Sequence, residues 1–220
     1  MNYNLRKILP KGIISLLILS FCLMGGCDVD FGGSSSSSNG NSNIETIQGT
    51  IVGIIPNQNV NGITVSITIN NSKPATAVTD ASGSFSINGS FAGSPQISFT
   101  DANSNSLGTS ILNVFPTAQV SLGNITLNSG TVNFQDQTQV TFDGDVTTNS
   151  CTGNSGSLQV DASNSQGSTT VIVQISSSTT LVDKNGNTIT CANILTGNSV
   201  QVQGTISSGN TVDAIRVGIN

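Results

Sequence analysis

Apolar and polar residues alternate repeatedly through most of the chain, and this period of two constrains its fold more than any other feature. In the stretch 62–69 (GITVSITI) isoleucine and valine alternate with threonine and serine, and the alternation returns at 84–88, 96–100 and 119–122. Residues two apart share one face of a strand, whereas a helix needs apolar residues spaced three and four apart. The pattern therefore predicts strands that are half-buried in antiparallel sheets.

Composition decides whether these strands belong to a folded protein. Only 8% of the residues are charged and 35% are hydrophobic. Disordered chains usually combine high net charge with few β-branched residues, whereas valine, isoleucine and threonine are plentiful here. We therefore expect an all-β protein made of short strands and polar turns.

Seven candidate strands occupy the chain between residues 44 and 128. They are Glu45–Ile54, Gly62–Ile69, Ala75–Thr79, Ser84–Asn88, Gln96–Thr100, Ser106–Val114 and Gln119–Leu127. About seven short strands separated by turns are typical of a β-sandwich.

The segment Val60–Ile87 (VNGITVSITINNSKPATAVTDASGSFSI) resembles the carboxypeptidase-regulatory-like family of Ig-like and transthyretin-like sandwiches. The resemblance rests on Gly62, Val65, Thr79, Asp80, Gly83 and Phe85. We expect Asp80 to accept hydrogen bonds from the turn backbone, Gly83 to take a positive φ and Phe85 to enter the core. The resemblance covers about 44–127 and implies a seven-stranded Ig-like β-sandwich at 44–128, a non-catalytic module.

Turn signals continue through residues 129–220. Asn185-Gly186 predicts a two-residue hairpin, and Ser208-Gly209-Asn210 predicts another tight connection. In the last strand, we expect Ile215, Val217 and Ile219 to share the buried face.

The order of these features resembles a bacterial family of small β-barrels of unknown function. The matching residues are Ser178, Thr179, Leu195, Gly197, Val200, Val202, Gly204, Ala214 and Ile215. The match covers about 139–219 and implies a small OB-like β-barrel at 129–220, without an assigned activity. OB-like barrels often bind nucleic acid through aromatic side chains and a basic groove. We expect no nucleic-acid partner here, because the only aromatic residues of this part, Phe134 and Phe142, are expected in the core, and its only cationic residues are Lys184 and Arg216.

Cys151 and Cys191 both lie in the second part. If the chain is exported, as its N-terminal segment predicts below, two such cysteines predict a disulfide, although two unpaired thiols remain an alternative. The bond would close a loop of about 40 residues and stabilise the fold by roughly 3–4 kcal/mol on the chain-entropy model. We expect no metal site, because two sulfurs without histidine make an incomplete zinc shell.

The N-terminus predicts export. Positive charges at 2–12 precede an apolar run at 13–24 (IISLLILSFCLM). A membrane-spanning helix needs roughly 20 apolar residues, whereas the apolar part of a signal peptide needs roughly 7–15. The run therefore indicates a signal peptide with its helix at 1–26.

Gly25-Gly26-Cys27, directly after this run, resembles the lipobox of bacterial lipoproteins. In that family the signal is cut before the cysteine, whose thiol receives a diacylglycerol and whose new amine is usually acylated. The resemblance implies that Cys27 is the lipidation site; Cys22 is its rival, and an incidental cysteine after an ordinary cleavage site is the alternative. Two or three acyl chains hold a protein durably at a membrane. Residues 27–43, rich in serine, glycine and asparagine, would then be a disordered tether.

Catalytic chemistry finds little support in the sequence. The chain contains no histidine, so no Ser-His-Asp or Cys-His machinery is possible. Asp143 and Asp145 share a strand face and could act as paired carboxylates, but turn chemistry is the more common role of such residues. Asp101–Ser106 (DANSNS) and Asp183–Asn187 (DKNGN) resemble calcium loops only in part, and we expect them to be turns.

Charge limits the partners that the exported part can take. Past Cys27 only Lys73, Lys184 and Arg216 are cationic, against eleven acidic residues. Such a chain is a poor partner for phosphate backbones. We therefore expect a non-enzymatic, lipid-anchored protein of the bacterial cell envelope, at the outer membrane or cell surface rather than the inner membrane. Its expected partners are the membrane and an unknown envelope protein or glycan, with no cofactor; a hydrolase using Asp143 and Asp145, or a small-ligand carrier in the barrel, are the alternatives.

Overall fold

A computed structural model describes residues 44–55 and 59–220, so the predicted signal peptide at 1–26, Cys27 and the tether at 27–43 lie outside the described residues. The described part is all-β, as the alternation predicts, and contains one 3₁₀ turn (Cys191–Asn193) but no α-helix. Its strands are β1 (Glu45–Ile55), β2 (Thr64–Thr68), β3 (Ala75–Val78), β4 (Ser84–Gly89), β5 (Gln96–Thr100), β6 (Ser106–Ile111), β7 (Gln119–Asn128), β8 (Thr131–Phe134), β9 (Gln139–Asn149), β10 (Gly156–Asn164), β11 (Gly167–Ile175), β12 (Thr180–Val182), β13 (Ser199–Ser208) and β14 (Thr211–Ile219).

The first eight strands form two packed sheets. In the first, β1 lies between β4, its antiparallel partner, and β7, its parallel partner, and β8 pairs with the far half of β7. The second sheet is antiparallel and has the order β3-β2-β5-β6. The ring of Phe85 in β4 meets that of Phe99 in β5 edge to face, with 6.1 Å between centroids. The sheets therefore pack across a shared apolar core.

Alternation along the strands explains which residues build this core. The inward side chains are buried, among them Ile47, Ile51, Val65, Ile67, Ile87, Ile97, Val120, Leu122 and Ile125. The threonines and serines between them, such as Thr64 and Ser66, stay partly exposed. All seven strands predicted before residue 128 are present, and the largest difference is at β6, which ends at Ile111 rather than Val114.

The turn before β4 has the conformation that its sequence predicts. The carboxylate of Asp80 accepts hydrogen bonds from the backbone N–H groups of Ser82 (2.8 Å) and Ser84 (2.9 Å). Gly83 has a φ of +81°, and a Cβ there would collide with the backbone oxygen of Ile51. Glycine is therefore required at this position both by backbone conformation and by the close approach of β1.

Five strands of the second part close into a barrel. Around the barrel, β9 pairs with β10, β10 with β11, β11 in parallel with β14, and β14 with β13. The pairing of β13 with β9 closes the barrel. The buried side chains that fill the barrel include Val140, Phe142, Val146, Leu158, Val160, Ala162, Val171, Val173, Ile175, Val200, Val202, Val212 and Val217. Valine predominates because a barrel of few strands encloses a narrow interior. The short β12 pairs in parallel with the end of β14.

The two-sheet part and the barrel share one continuous sheet. Residues Gln119–Ser121 of β7 pair with Gln139–Thr141 of β9. Beside this contact the buried rings of Phe115 and Phe142 lie 5.4 Å apart, edge to face. All described residues belong to one compact unit. A domain boundary between residues 128 and 129 stays a prediction.

A buried carboxylate also ties the two parts together. Glu45 is fully buried at the start of β1. Its oxygens accept hydrogen bonds from the backbone N–H groups of Phe91 (2.7 Å) and Thr117 (3.1 Å), and from the side-chain amide of Asn164 (3.0 Å) at the end of β10. Thr117 has a φ of +65°, which is uncommon for a β-branched residue. The contacts of Glu45 thus join β1, two loops of the two-sheet part and the barrel.

The prediction of a two-residue hairpin at Asn185-Gly186 is wrong. The chain instead forms a longer turn, in which the N–H of Asp183 donates to the carbonyl of Asn187 (2.9 Å) and that of Gly186 to the carbonyl of Asp183 (2.9 Å). Beyond it only Val182 and Thr188 form an isolated bridge. The side chain of Asp183 accepts from the backbone of this turn, which favours the longer loop. The connection predicted at 208–210 is tight, as Ser208 pairs directly with Thr211.

The predicted burial of Ile215 is also wrong. Its side chain is 49% exposed, whereas Val217 is fully buried. Gly204 pairs with Ala214 and Gln203 with Arg216, so Ile215 is the extra residue of a β-bulge. A bulge interrupts the period of two and turns the extra side chain away from the core.

Candidate functional site

A groove lies at one end of the barrel, where the β9–β10 loop and the connection between β12 and β13 meet the end of β14. It has a volume of about 450 Å³, within the range of small-molecule sites. We call it the disulfide groove, and its lining residues are Asn154, Asp183, Thr188, Ile189, Thr190, Asn193 and Ile219. Asn154 belongs to the β9–β10 loop, Ile219 ends β14, and the other lining residues lie between β12 and β13.

The predicted disulfide holds two walls of this groove together. Cys151 is bonded to Cys191, and their Cα atoms lie 5.8 Å apart. Cys151 lies in the loop that carries Asn154, and Cys191 begins the 3₁₀ turn that ends at Asn193. The bond therefore fixes the β9–β10 loop against the long connection between β12 and β13.

Asn149 makes a second connection between the same walls. Its side-chain oxygen accepts a hydrogen bond from the N–H of Cys151 at 2.7 Å. Its amide donates to the carbonyl oxygens of Cys191 (2.9 Å) and Ile194. A covalent bond and a hydrogen-bonded side chain thus hold the same two loops, so the shape of the groove is fixed before any ligand arrives.

The third wall is the turn that begins at Asp183. One oxygen of the carboxylate accepts the backbone N–H groups of Asn185 and Asn187, both at 2.8 Å, and the other accepts the Asn187 amide at 3.0 Å. These bonds, above all that from the Asn187 side chain, lower the pKa of Asp183. The carboxylate is therefore ionised at neutral pH and already engaged within its own turn.

Several polar side-chain groups of the groove make no hydrogen bond to other described residues. Within the part of the chain that the structure describes, the side chains of Asn154 and Thr188 make no hydrogen bond, and both residues are exposed. Asn193 uses its side-chain oxygen to accept the N–H (2.9 Å) and the hydroxyl (2.7 Å) of Thr190. Its amide NH₂ group remains available as a donor. The groove thus presents amide and hydroxyl groups beside the apolar side chains of Ile189 and Ile219.

Asp143 and Asp145 lie elsewhere, on the outer surface of β9. Both are exposed, and the carboxylate of Asp143 accepts a hydrogen bond from the side chain of Gln201 at 3.3 Å. Asp145 pairs across the sheet with Asp161 of β10. The described residues contain no group of three or more histidine, cysteine, aspartate or glutamate side chains that could hold a metal ion.

The partial calcium loop at Asp101 is a turn, as the sequence predicts. The carboxylate of Asp101 accepts the backbone N–H groups of Asn103 and Asn105, both at 2.8 Å, and the amide of Asn105 at 2.9 Å. These contacts repeat those of Asp183, and the backbone contacts of Asp80 follow the same pattern, so this local structure occurs three times. Ser104 has a φ of +66°, at the position where Gly186 has +83°.

The groove was missed by sequence reasoning, apart from its disulfide. Asn154, Thr188 and Asn193 are loop residues of common polar types, and their spacing carries no signal that distinguishes them from other turns. Only the pairing of Cys151 with Cys191 indicated that these loops meet. Cys27, the predicted lipidation site, lies outside the described residues.

Comparison with known proteins finds no matching family model, no similar curated protein and no similar solved structure. Within 44–55 and 59–220, no helix combines the length and the hydropathy needed to cross a membrane.

Proposed function

We propose that the protein is a non-enzymatic lipoprotein of the bacterial cell envelope that presents two β modules for binding or for a structural role. One observation carries the proposal: Gly25-Gly26-Cys27 stands between an apolar run too short to span a bilayer and a stretch of serine, glycine and asparagine. Lipid on Cys27 would hold the folded part at a membrane, and we infer the outer membrane or the cell surface rather than the inner membrane.

The architecture supports the identity of the two modules. Two packed sheets with seven strands before residue 129 suit an Ig-like sandwich of the carboxypeptidase-regulatory-like kind. A closed barrel of five strands, in which β11 pairs in parallel with β14, suits an OB-like barrel. Neither assignment implies a reaction, because such folds carry many unrelated functions.

A binding role is favoured over catalysis by the chemistry that the chain offers. There is no histidine to act as a base at neutral pH. Asp80, Asp101 and Asp183 each serve as acceptors in their own turns, which lowers the pKa of each. Asp143 and Asp145, the candidates for a hydrolase, lie exposed on a strand rather than in the groove.

The carrier alternative requires space inside the barrel. Side chains from all five strands occupy its interior, among them Phe142, Leu158 and Val202, each at most 1% exposed. A ligand within the barrel would have to displace them. The disulfide groove, which lies outside this interior, is the better candidate for a bound molecule.

Labelling with radioactive palmitate in the native bacterium tests the anchor. We expect the wild-type chain to take up label and Cys27→Ala to take up none, because the thiol of Cys27 is the attachment point. Cys22→Ala is the matched control and should be labelled like the wild type. Equal labelling of Cys27→Ala, or loss of label in Cys22→Ala alone, would contradict the proposal.

A further inference from the structure

We propose that the disulfide groove binds a neutral sugar unit of an envelope glycan. This inference rests on the proposed envelope location for the source of the ligand, while the choice of ligand rests on the groove itself. It gives a binding role to the side chains of Asn154 and Thr188 and to the NH₂ group of Asn193, polar groups that the fold itself does not need.

The charge of the groove lining limits which ligands can bind. The only ionisable residue that lines the groove is Asp183, and its carboxylate is kept ionised by hydrogen bonds from its own turn. No lysine or arginine lines the groove, so a phosphate or carboxylate ligand would meet a negative charge without a compensating cation. A single engaged carboxylate is also a poor seat for a metal ion. The ligand that suits the groove is therefore uncharged.

The groove offers hydrogen-bond donors and acceptors that suit hydroxyl groups. The amide of Asn154 and the hydroxyl of Thr188 each offer both a donor and an acceptor, and the Asn193 NH₂ offers donors. A sugar hydroxyl likewise donates and accepts at once, so it can pair with all three groups. An extended peptide would instead need a free strand edge for its backbone, whereas these lining groups are side chains on turns.

The groove also has an apolar part that suits the C–H groups of a sugar ring. Ile189 and Ile219 are half-buried and line it beside the polar groups. The C–H groups of a sugar ring can rest on such aliphatic side chains while its hydroxyls reach the amides. No aromatic residue lines the groove, so we expect weak binding of one or two sugar units. The fixed walls reduce the entropy that such binding costs.

Titration of neutral oligosaccharides into the lipidated protein tests the proposal. The protein is held in polyoxyethylene detergent, because detergents with sugar head groups would compete. Cellotetraose, maltotetraose, chitotetraose and mannotetraose are the probes, and binding is followed by saturation-transfer NMR and by the side-chain amide signals of Asn154 and Asn193. We expect at least one probe to bind and to shift both amide signals.

Two variants locate the binding without disturbing the fold. Asn154→Ala and Thr188→Val remove groups that make no hydrogen bond within the described residues, so each should fold normally and weaken binding roughly threefold to tenfold. Asn103→Ala and Thr76→Val are the matched controls, since both residues are exposed in the two-sheet part and their side chains make no hydrogen bond there. The controls should bind like the wild type.

Three results would overturn the proposal: no binding of any of the four sugars, binding that Asn154→Ala and Thr188→Val leave unchanged, or binding only of an uncharged tetrapeptide tested in parallel. None of them bears on the anchor, because palmitate labelling of Cys27 is measured separately. If the protein is labelled at Cys27 but binds no sugar, the proposed function stands and the sugar-binding proposal is refuted.

Discussion

The two-sheet part (β1–β8) and the barrel part (β9–β14) are both stabilised by buried apolar residues, but they use different side chains. Phe85, Phe91, Phe99 and Phe115 are buried in the two-sheet part, whereas the barrel interior is mostly valine and contains Phe142 as its one buried phenylalanine. Two sheets about 10 Å apart leave room for several aromatic rings, whereas a five-stranded barrel encloses a narrower interior that is filled mostly by valine. The enclosing geometry thus determines which apolar residues can serve as core.

The two parts also differ in how their loops are held. In the two-sheet part, hydrogen-bonded turns such as those at Asp80 and Asp101 connect neighbouring strands. In the barrel part, the long connection from residue 176 to 198 contains a turn of the same kind at Asp183, besides β12 and one 3₁₀ turn, and the disulfide additionally ties it to the β9–β10 loop. A small core with a long connection is the situation in which a crosslink contributes most.

The largest expected effect comes from the aromatic core. Phe99→Ala should lower the free energy of unfolding by about 3–5 kcal/mol, because the fully buried ring leaves a cavity against Phe85. Val202→Ala in the barrel should cost clearly less, since fewer carbon atoms are lost. Urea unfolding of the two variants measures both. Equal costs would contradict the difference drawn between the two cores.

Removal of the disulfide should have the next largest effect. The double variant Cys151→Ser, Cys191→Ser should lower the free energy of unfolding by about 3–4 kcal/mol, because the unfolded chain regains the freedom of a closed loop. Amide hydrogen exchange should rise most between residues 176 and 198, and β2 and β5 should accelerate no more than the lower global stability requires. Equal acceleration in both parts would contradict a local action of the crosslink on the barrel.

Glu45, which joins the two parts, should have a smaller but still clear effect. Glu45→Ala leaves the N–H groups of Phe91 and Thr117 and the amide of Asn164 without their acceptor, and should cost about 2–3 kcal/mol. Glu45→Gln keeps one acceptor oxygen and should cost less. The measurement is again urea unfolding. A Glu45→Ala variant as stable as the wild type would show that the hydrogen bonds of Glu45 do not hold the two parts together.

Acid should weaken the hydrogen-bonded turns selectively. Hydrogen bonds from the Asn105 side chain and backbone lower the pKa of Asp101 in the folded state. The contribution of Asp101 is therefore present above an unfolded pKa of about 3.9 and is lost as the pH falls through the lower folded value. Asp101→Asn should destabilise the protein at pH 7, and the difference from the wild type should shrink as the pH falls through the lowered pKa of Asp101 in the folded state. A difference independent of pH would contradict this assignment.

The smallest effect concerns one turn position. Ser104 has a φ of +66° where the related turns have Gly83 and Gly186. Ser104→Gly should stabilise the protein by about 0.5–1 kcal/mol, because glycine adopts this conformation without steric cost. Gly186→Ser is the opposite change and should destabilise by a similar amount. Thermal unfolding of both variants would show the two signs, and equal signs would refute the comparison.

Much of the strand structure could be predicted from the sequence because alternation reports burial directly. Strands β1–β7 and the pairing of Cys151 with Cys191 follow from local pattern and composition. Ile215 was misplaced because a bulge depends on pairing with Gly204, which no local pattern shows. The longer turn at Asp183 replaced the expected hairpin because its side chain captures the turn backbone.

The contacts of Glu45 between the two parts and the disulfide groove could not be predicted from the sequence, for the same physical reason. Both depend on residues distant in the chain, such as Glu45 with Asn164, or Asn154 with Thr188. A buried glutamate without a cation has no sequence signature of its own, and polar loop residues resemble one another. The tertiary fold alone brings these groups together.

Intact-mass analysis of the protein purified from native membranes shows whether Cys27 carries lipid. We expect a chain that begins at Cys27 and is heavier than the unmodified polypeptide by a diacylglycerol and usually one further acyl chain, with Cys151 and Cys191 two hydrogens lighter as a disulfide. A chain that begins elsewhere, or one that begins at Cys27 without added lipid, would contradict the proposed lipid anchor.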